Sequence, residues 1–143
     1  MATVFHHALF LGITHYVLWG WYFKVPFAWL CAGELSTVFL NLRWFYAVLE
    51  RKATAAYAAA SYAFSFSFLL TRGALYSWGV AHLWAERALW WGGRTGDGGM
   101  WHGLHLVVAG VHAGLFLNLA WSCKVVAGLR RGLREKAARP KAD

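Results

Sequence analysis

One glutamate stands inside a long apolar stretch of the chain. Residues 34–44 read Glu-Leu-Ser-Thr-Val-Phe-Leu-Asn-Leu-Arg-Trp, and mostly apolar segments flank this run on both sides. An aspartate at the centre of a membrane helix costs roughly 2.5–3.5 kcal/mol on insertion scales, so an acid in such a place pairs with a cation, faces a polar cavity or stays protonated. Glu34 is therefore the first candidate for a functional site.

Helical spacing places two further polar groups on the face of Glu34. Glu34, Thr37 and Asn41 follow i, i+3, i+7 spacing and form a polar stripe. Arg43 points to the other side of the helix and lies close enough to its end to reach the interface as a snorkelling anchor. The stripe is the part of this helix that we expect to face the interior of a bundle.

Polar residues of other spans fall at a similar depth. With a rise of about 1.5 Å per residue, His15 and His105 lie at the level of Glu34 and Arg72 lies near the same side. Arg72 or His15 is the expected partner of the carboxylate. Two interpretations stay open, a polar clamp between helices and a site that faces a substrate.

Two groups of histidines are candidates for chemistry. The adjacent His6 and His7 begin the first apolar span, either as interfacial packing residues or as functional groups that address the bundle interior. His102, His105 and His112 resemble metal ligands only in spacing, and the chain lacks the repeated His-x-x-His-His boxes of membrane di-iron enzymes. We therefore predict no metal and no cofactor.

The composition indicates which elements must position these groups. The chain has 143 residues, of which 59% are hydrophobic and only 14% charged, whereas soluble domains carry about 25% charged residues. We predict an all-α integral membrane protein, a single bundle of about four transmembrane helices. Residues 76–91 form either an extension of the third helix or a short interfacial helix. The predicted spans are residues 3–23, 27–49, 53–75 and 100–126.

Charge sets the predicted topology. Basic residues crowd residues 130–143, and Arg51 with Lys52 occupies a turn that four crossings put on the same side. The positive-inside rule makes both cytosolic. We divide the chain into a transmembrane domain, residues 1–129, and a basic cytosolic tail, residues 130–143. A tail of this kind fixes topology or binds anionic lipids. Nucleic-acid binding is not expected, because the chain has no soluble fold that recognises nucleic acid.

Several segments resemble a known family. The His6-His7 pair, the run 34–44, Phe68-Leu-Leu-Thr-Arg72 and Asn118-Leu-Ala-Trp-Ser-Cys-Lys124 look like landmarks of the TLC domain. That domain is shared by translocating-chain-associating membrane protein, the longevity-assurance ceramide synthases and small TLC-domain-containing proteins. The run 34–44 is closest to the small, non-synthase branch. The resemblance covers nearly the whole chain and implies the C-terminal portion of the family domain.

The resemblance also implies chemistry at named positions. Ceramide synthases combine a His-His pair with an Asp-x-Ser-Asp segment to transfer a fatty acyl group from coenzyme A to a sphingoid amine. Here the histidine pair is present, Glu34 and Ser36 match the first aspartate and the serine, and Thr37 replaces the second aspartate. Asn41 replaces a later glutamate of the family.

These departures favour lipid handling over synthesis. The preferred prediction is a membrane protein that binds lipid in a polar-lined cavity and acts in lipid homeostasis, resident in the endoplasmic reticulum or another endomembrane. The alternatives are an acyl-CoA-dependent N-acyltransferase, with acyl-CoA as co-substrate, and a non-catalytic scaffold. Membrane lipids are the expected partners, and self-association into a homo-oligomer is compatible with the sequence. Catalytic residues of the acyltransferase would be His6, His7 and Glu34; the expected lipid-facing residues are His15, Ser36, Thr37, Asn41, Arg72 and His105.

Overall fold

The described part of the chain is helical throughout. The structure is a computed structural model that describes residues 8, 10–15, 18, 19, 24–87 and 101–138, among which no strand occurs. The all-α prediction is therefore confirmed for these residues. Its elements are α1 (Lys24–Ala32), α2 (Leu35–Val48), α3 (Ala55–Phe68), a π-helix (Leu69–Leu75), α4 (Tyr76–Ala85) and α5 (Trp101–Ala138).

The second predicted span is divided into two helices. A turn at Gly33 and Glu34 separates α1 from α2. Backbone bonds of the tighter i to i−3 type carry the chain through it, from Glu34 N–H to Cys31 O at 3.0 Å and from Thr37 N–H to Glu34 O at 3.0 Å. Glycine favours such a break because it is a poor helix former. In this turn the Gly33 carbonyl accepts the Ser36 N–H at 3.3 Å and also lies within reach of side chains.

The predicted turn between the second and third spans is confirmed. Glu50 has φ 57°, and its N–H bonds Ala47 O while Arg51 N–H bonds Tyr46 O. This is a Schellman motif, which ends α2 by satisfying its last carbonyls. Thr54 then begins α3, since its hydroxyl accepts the backbone N–H three residues on.

The third span continues well beyond residue 75. The helices α3 and α4 and the π-helix between them follow one another without a gap from Ala55 to Ala85. Of the two interpretations of residues 76–91, an extension of the third helix is therefore the one observed as far as Ala85. The π-helix widens the turn at residues 69–75 and changes the angular phase between α3 and α4.

Helix α5 packs along this continuous helix and closes the core. The buried side chains of α4 and α5 form one cluster, to which Ile13 and Phe27 add partly buried surface. Helix α5 runs without interruption past residue 130 to Ala138. The core cluster consists of Tyr76, Val80, Leu83, Val107 and Val111.

The outer surface of the helices is apolar. Within the described residues, one helix is long and apolar enough to cross a membrane, over His105–Glu135, and only 22% of its most apolar window is buried. A core helix of a soluble protein would be mostly covered. Leu106 and Phe116 on this helix are 73% and 70% exposed, which suits contact with lipid. The four-span topology stays a prediction, because α2 and α3 have 14 residues each and a crossing needs about 20.

Candidate functional site

Arg72 gathers the polar groups of the α1–α2 turn. Its Nη2 donates to Glu34 Oε1 at 2.9 Å and to Thr37 Oγ1 at 3.4 Å. Its Nε lies 3.2 Å from both Gly33 O and Ser36 Oγ. The hydroxyl of Thr37 donates to the second carboxylate oxygen, Glu34 Oε2, at 2.9 Å. Of the two partners expected for Glu34, Arg72 and His15, the structure shows Arg72.

Local structure explains why these groups meet. Gly33 exposes its carbonyl at the helix break, and Glu34 stands at the N-terminus of α2, where the helix dipole favours a negative charge. Arg72 lies within the π-helix, a form of helix that is frequent at functional sites. The guanidinium also lies 5.8 Å from the ring centroid of Phe68, so one face of the cation rests on an aromatic ring.

Burial decreases outward through the site. Ser36 is 1% exposed and donates to Gly33 O at 2.8 Å. The Arg72 side chain is 17% exposed and that of Glu34 is 54% exposed. The guanidinium is therefore enclosed by acceptors, whereas part of the carboxylate remains open to whatever fills the space beside it.

Two cavities meet at this ion pair. The first has a volume of about 220 Å³ and lies between α5 and the π-helix. The second has a volume of about 600 Å³ and runs along α2 and α3. Four residues line both: Phe10, Glu34, Arg72 and Trp121.

The first cavity contains functional candidates that the sequence analysis did not single out. Tyr76 donates its buried hydroxyl to Val111 O at 2.9 Å, and its ring lines the cavity beside Gly114. Asn118 is 5% exposed and adds an amide to the wall. The only sequence signal for Asn118 was its place in the segment that resembles the TLC domain.

Other predicted site residues lie outside the cluster. His15 is exposed, with its ring centroid 5.5 Å from that of Trp19. Asn41 and His105 are exposed and line neither cavity. The stripe therefore contributes Glu34 and Thr37 to the site without Asn41. The histidine pair at positions 6 and 7 lies outside the described residues, so its predicted role stays a prediction.

His112, one of the three histidines whose spacing resembles that of metal ligands, has a structural role. His112 Nδ1 lies 2.7 Å from Val108 O, and His112 Nε2 accepts a hydrogen bond from Trp84 Nε1 at 2.8 Å. This bond joins α4 to α5. In the described part of the chain, no three His, Cys, Asp or Glu side chains are placed to share a metal ion.

Comparison with known proteins identifies the family. The family model of the TLC domain matches residues 1–127, which includes the Arg72–Glu34 cluster and the walls of both cavities. No curated protein sequence and no solved structure gave a match. Because the match extends over most of the 143 residues, the chain belongs to the TLC domain family.

Proposed function

We propose that this protein is an integral membrane protein that handles lipids, and that it binds a lipid in the two cavities that meet at the Arg72–Glu34 pair. The main observation behind the proposal is that the two cavities meet at this ion pair, a place that we call the junction. It joins a polar cluster to two cavities whose walls are otherwise mainly apolar. A lipid needs both parts, because its chains favour apolar walls and its polar groups need hydrogen-bond partners.

The wall chemistry supports a chain-binding role for the second cavity. Between Glu34 and the far end of the second cavity, the wall consists mainly of large apolar side chains. One of them, Trp121, also lines the first cavity. Burying a methylene group against such a wall contributes about 0.8 kcal/mol. The principal apolar wall residues are Leu40, Phe64, Phe68, Trp121 and Val125.

The ion pair supplies the polar end. Arg72 is held by four oxygen acceptors, so its position is fixed before a ligand arrives. Glu34 remains half exposed and is the side that a lipid hydroxyl or amide can reach as a donor. Asn118, from the opposite wall of the first cavity, offers both a donor and an acceptor.

The same contacts favour binding over catalysis at Glu34. Both carboxylate oxygens already accept hydrogen bonds, one from Arg72 and one from Thr37. A carboxylate engaged in this way is a weak candidate for proton transfer and a good one for electrostatic positioning. Acyl transfer from acyl-CoA to an amine remains the alternative proposal, with His6 or His7 as base or nucleophile and Glu34 orienting it.

We extend the proposal to cellular context. Residence in the endoplasmic reticulum or another endomembrane, a four-span topology and a cytosolic basic tail follow from the TLC resemblance and the positive-inside pattern. Lipid homeostasis is the process in which such a protein would act. A homo-oligomer is compatible with the exposed apolar helix faces.

The test is retention of lipid by cavity variants. The full chain is purified in mild detergent and bound phospholipid per protein is quantified by mass spectrometry. Ala113→Phe places a ring at an exposed position that lines the first cavity. Ala120→Phe is the matched control, since Ala120 is exposed on the same helix and lines neither cavity. We expect at least about a twofold loss of bound lipid for the first variant alone.

A second pair of variants tests the polar end. Glu34→Gln and Arg72→Met alter the junction, and we expect each to change the amount or class of retained lipid. Equal lipid content in the wild type and in the variants at positions 34, 72, 113 and 120 would refute the proposal. For the acyltransferase alternative, fatty acyl-CoA and a sphingoid base are supplied; no product above a His6→Ala/His7→Ala control would end it.

A further inference from the structure

A third cavity lies at the far end of the second cavity and is lined by three cations. Its volume is about 520 Å³. Arg43 comes from α2, Lys52 from the α2–α3 turn and Lys124 from α5. Because three separate elements supply the charges, tertiary packing concentrates positive charge that the sequence distributes over 82 positions.

These charges lack acidic partners. No aspartate or glutamate lines the cavity, and the salt bridge between Arg72 and Glu34 is the only one in the described residues. Like charges that share one recess repel each other, and an anion in the recess would relieve the repulsion. Arg43 is half-buried and its guanidinium carbon lies 5.9 Å from the Tyr57 ring centroid, so the ring restricts this cation at the cavity wall.

The cation cavity adjoins the second cavity of the proposed lipid site. Phe64, Lys124 and Val125 line both. Along α2, Arg43 lies nine residues beyond Glu34, which is about 13 Å of helix. An amphiphile with one charged end can therefore extend from the cations along the apolar wall towards the Arg72–Glu34 pair.

Two glycines of α5 face open space in the recess. A Cβ atom added at Gly128 or at Gly132 would meet nothing within 4 Å, and both glycines line the cation cavity. The recess beside α5 therefore has unfilled space where a headgroup would lie.

We propose that Arg43, Lys52 and Lys124 form a headgroup site for an anionic glycerophospholipid, whose acyl chain occupies the second cavity. This inference rests on the proposed lipid-binding function and adds the charge of the ligand and the direction in which it lies. A phosphate-bearing headgroup fits because phosphate oxygens accept hydrogen bonds from both guanidinium and ammonium groups. A membrane phospholipid is favoured over a soluble phosphate because the cation cavity shares wall residues with the mainly apolar second cavity.

Competition between two lipids tests the proposal. The purified, delipidated full chain is incubated at about 0.1 M salt with equal amounts of phosphatidylserine and phosphatidylcholine that carry the same acyl chains. Bound lipids are quantified after size-exclusion chromatography. We expect phosphatidylserine to exceed phosphatidylcholine by at least about fivefold, which corresponds to one well-placed basic contact near a membrane surface.

Charge-matched variants separate a built site from general attraction. Arg43→Gln/Lys52→Gln/Lys124→Gln removes the three cavity cations and should bring the ratio of phosphatidylserine to phosphatidylcholine close to one. Arg130→Gln/Arg131→Gln/Arg134→Gln removes three exposed cations of α5 that line none of the three cavities and should leave the ratio unchanged. An equal fall in both triple variants would overturn the site.

Two additional experiments, a Gly128→Leu variant and competition by coenzyme A, complete the test. Gly128→Leu retains every charge but fills the recess, so it should lower phosphatidylserine binding even if the triple cavity variant fails to fold. Coenzyme A without an acyl chain should not displace phosphatidylserine, and displacement would show a soluble phosphate ligand instead. Wild type that binds both lipids equally refutes only the headgroup site, whereas wild type that retains neither lipid refutes the proposed function.

Discussion

Arg72 and Glu34 join the π-helix to the start of α2 through a contact of 2.9 Å between Nη2 and Oε1. The two partners differ in how much else depends on them. Arg72 also reaches Gly33, Ser36 and Thr37, while Glu34 is 54% exposed. The arginine is therefore the structural centre of the cluster, and the carboxylate is its accessible edge.

Arg72→Met should lower the free energy of unfolding by about 2 kcal/mol or more, because it removes a charged donor from four acceptors. Glu34→Gln should cost less than about 1 kcal/mol, since the amide oxygen still accepts from Arg72 and the site is half exposed. Unfolding in detergent by denaturant titration measures both, with exposed Arg130→Met as the control. A larger loss for Glu34→Gln would contradict this ranking.

Gly114→Ala should destabilise the protein by about 1–3 kcal/mol. A Cβ at this position would collide with the Tyr76 hydroxyl and displace its hydrogen bond to Val111 O. Gly128→Ala is the matched control on the same helix. Its Cβ would meet nothing within 4 Å, so we expect no loss and up to about 1 kcal/mol of gain from helix propensity.

Thermal unfolding followed by tryptophan fluorescence distinguishes the two glycine variants. The Gly114→Ala variant should also retain less lipid, since Gly114 and Tyr76 both line the first cavity. Equal stability of the two variants would show that the approach of α4 to α5 is not tight at Gly114.

Glu50→Gly should stabilise the α2–α3 turn by up to about 1 kcal/mol. Glu50 has φ 57°, and a non-glycine residue in the left-handed region costs roughly 1–2 kcal/mol. Glycine removes this cost but loses more conformational entropy on folding, which offsets part of the gain. Glu50→Ala keeps the unfavourable Cβ and should give no gain. The denaturant midpoints of unfolding of the two variants compare their stabilities, and equal midpoints would argue against strain in this turn.

His112 should be the neutral tautomer that carries its proton on Nδ1. The carbonyl of Val108, 2.7 Å away, only accepts hydrogen bonds, so Nδ1 must donate; Nε2 must then keep a lone pair for the indole N–H of Trp84. Nitrogen-15 NMR of histidine-labelled protein reads the tautomer directly. Trp84→Phe should shift the Nε2 resonance and leave the Nδ1–H form in place, whereas an Nε2–H signal in the wild type would contradict the assigned bonds.

Much of the site could be predicted because local rules act on it. An acid in an apolar stretch requires a partner, and depth along the helices selected Arg72 as one of two candidates. The turn at residues 50–52 followed from its charge. The helical interpretation of residues 55–85 followed from composition. The family was predicted from the His6-His7, Glu34-to-Trp44 and Arg72 landmarks, and the family match over residues 1–127 confirms it.

The sequence by itself determined the helical class and the family, and it limited the partner of Glu34 to Arg72 or His15, because hydropathy, helix periodicity and the cost of a buried charge depend on residue type and spacing. Only the tertiary structure decided which polar residues share a site. Asn41 lies on the same regular helix as Thr37 but about one turn farther along, and both Asn41 and His15 are exposed, so neither joins the cluster around Arg72. The cavities, and the convergence of Arg43, Lys52 and Lys124 on one of them, depend on how separate helices pack, which no local pattern encodes.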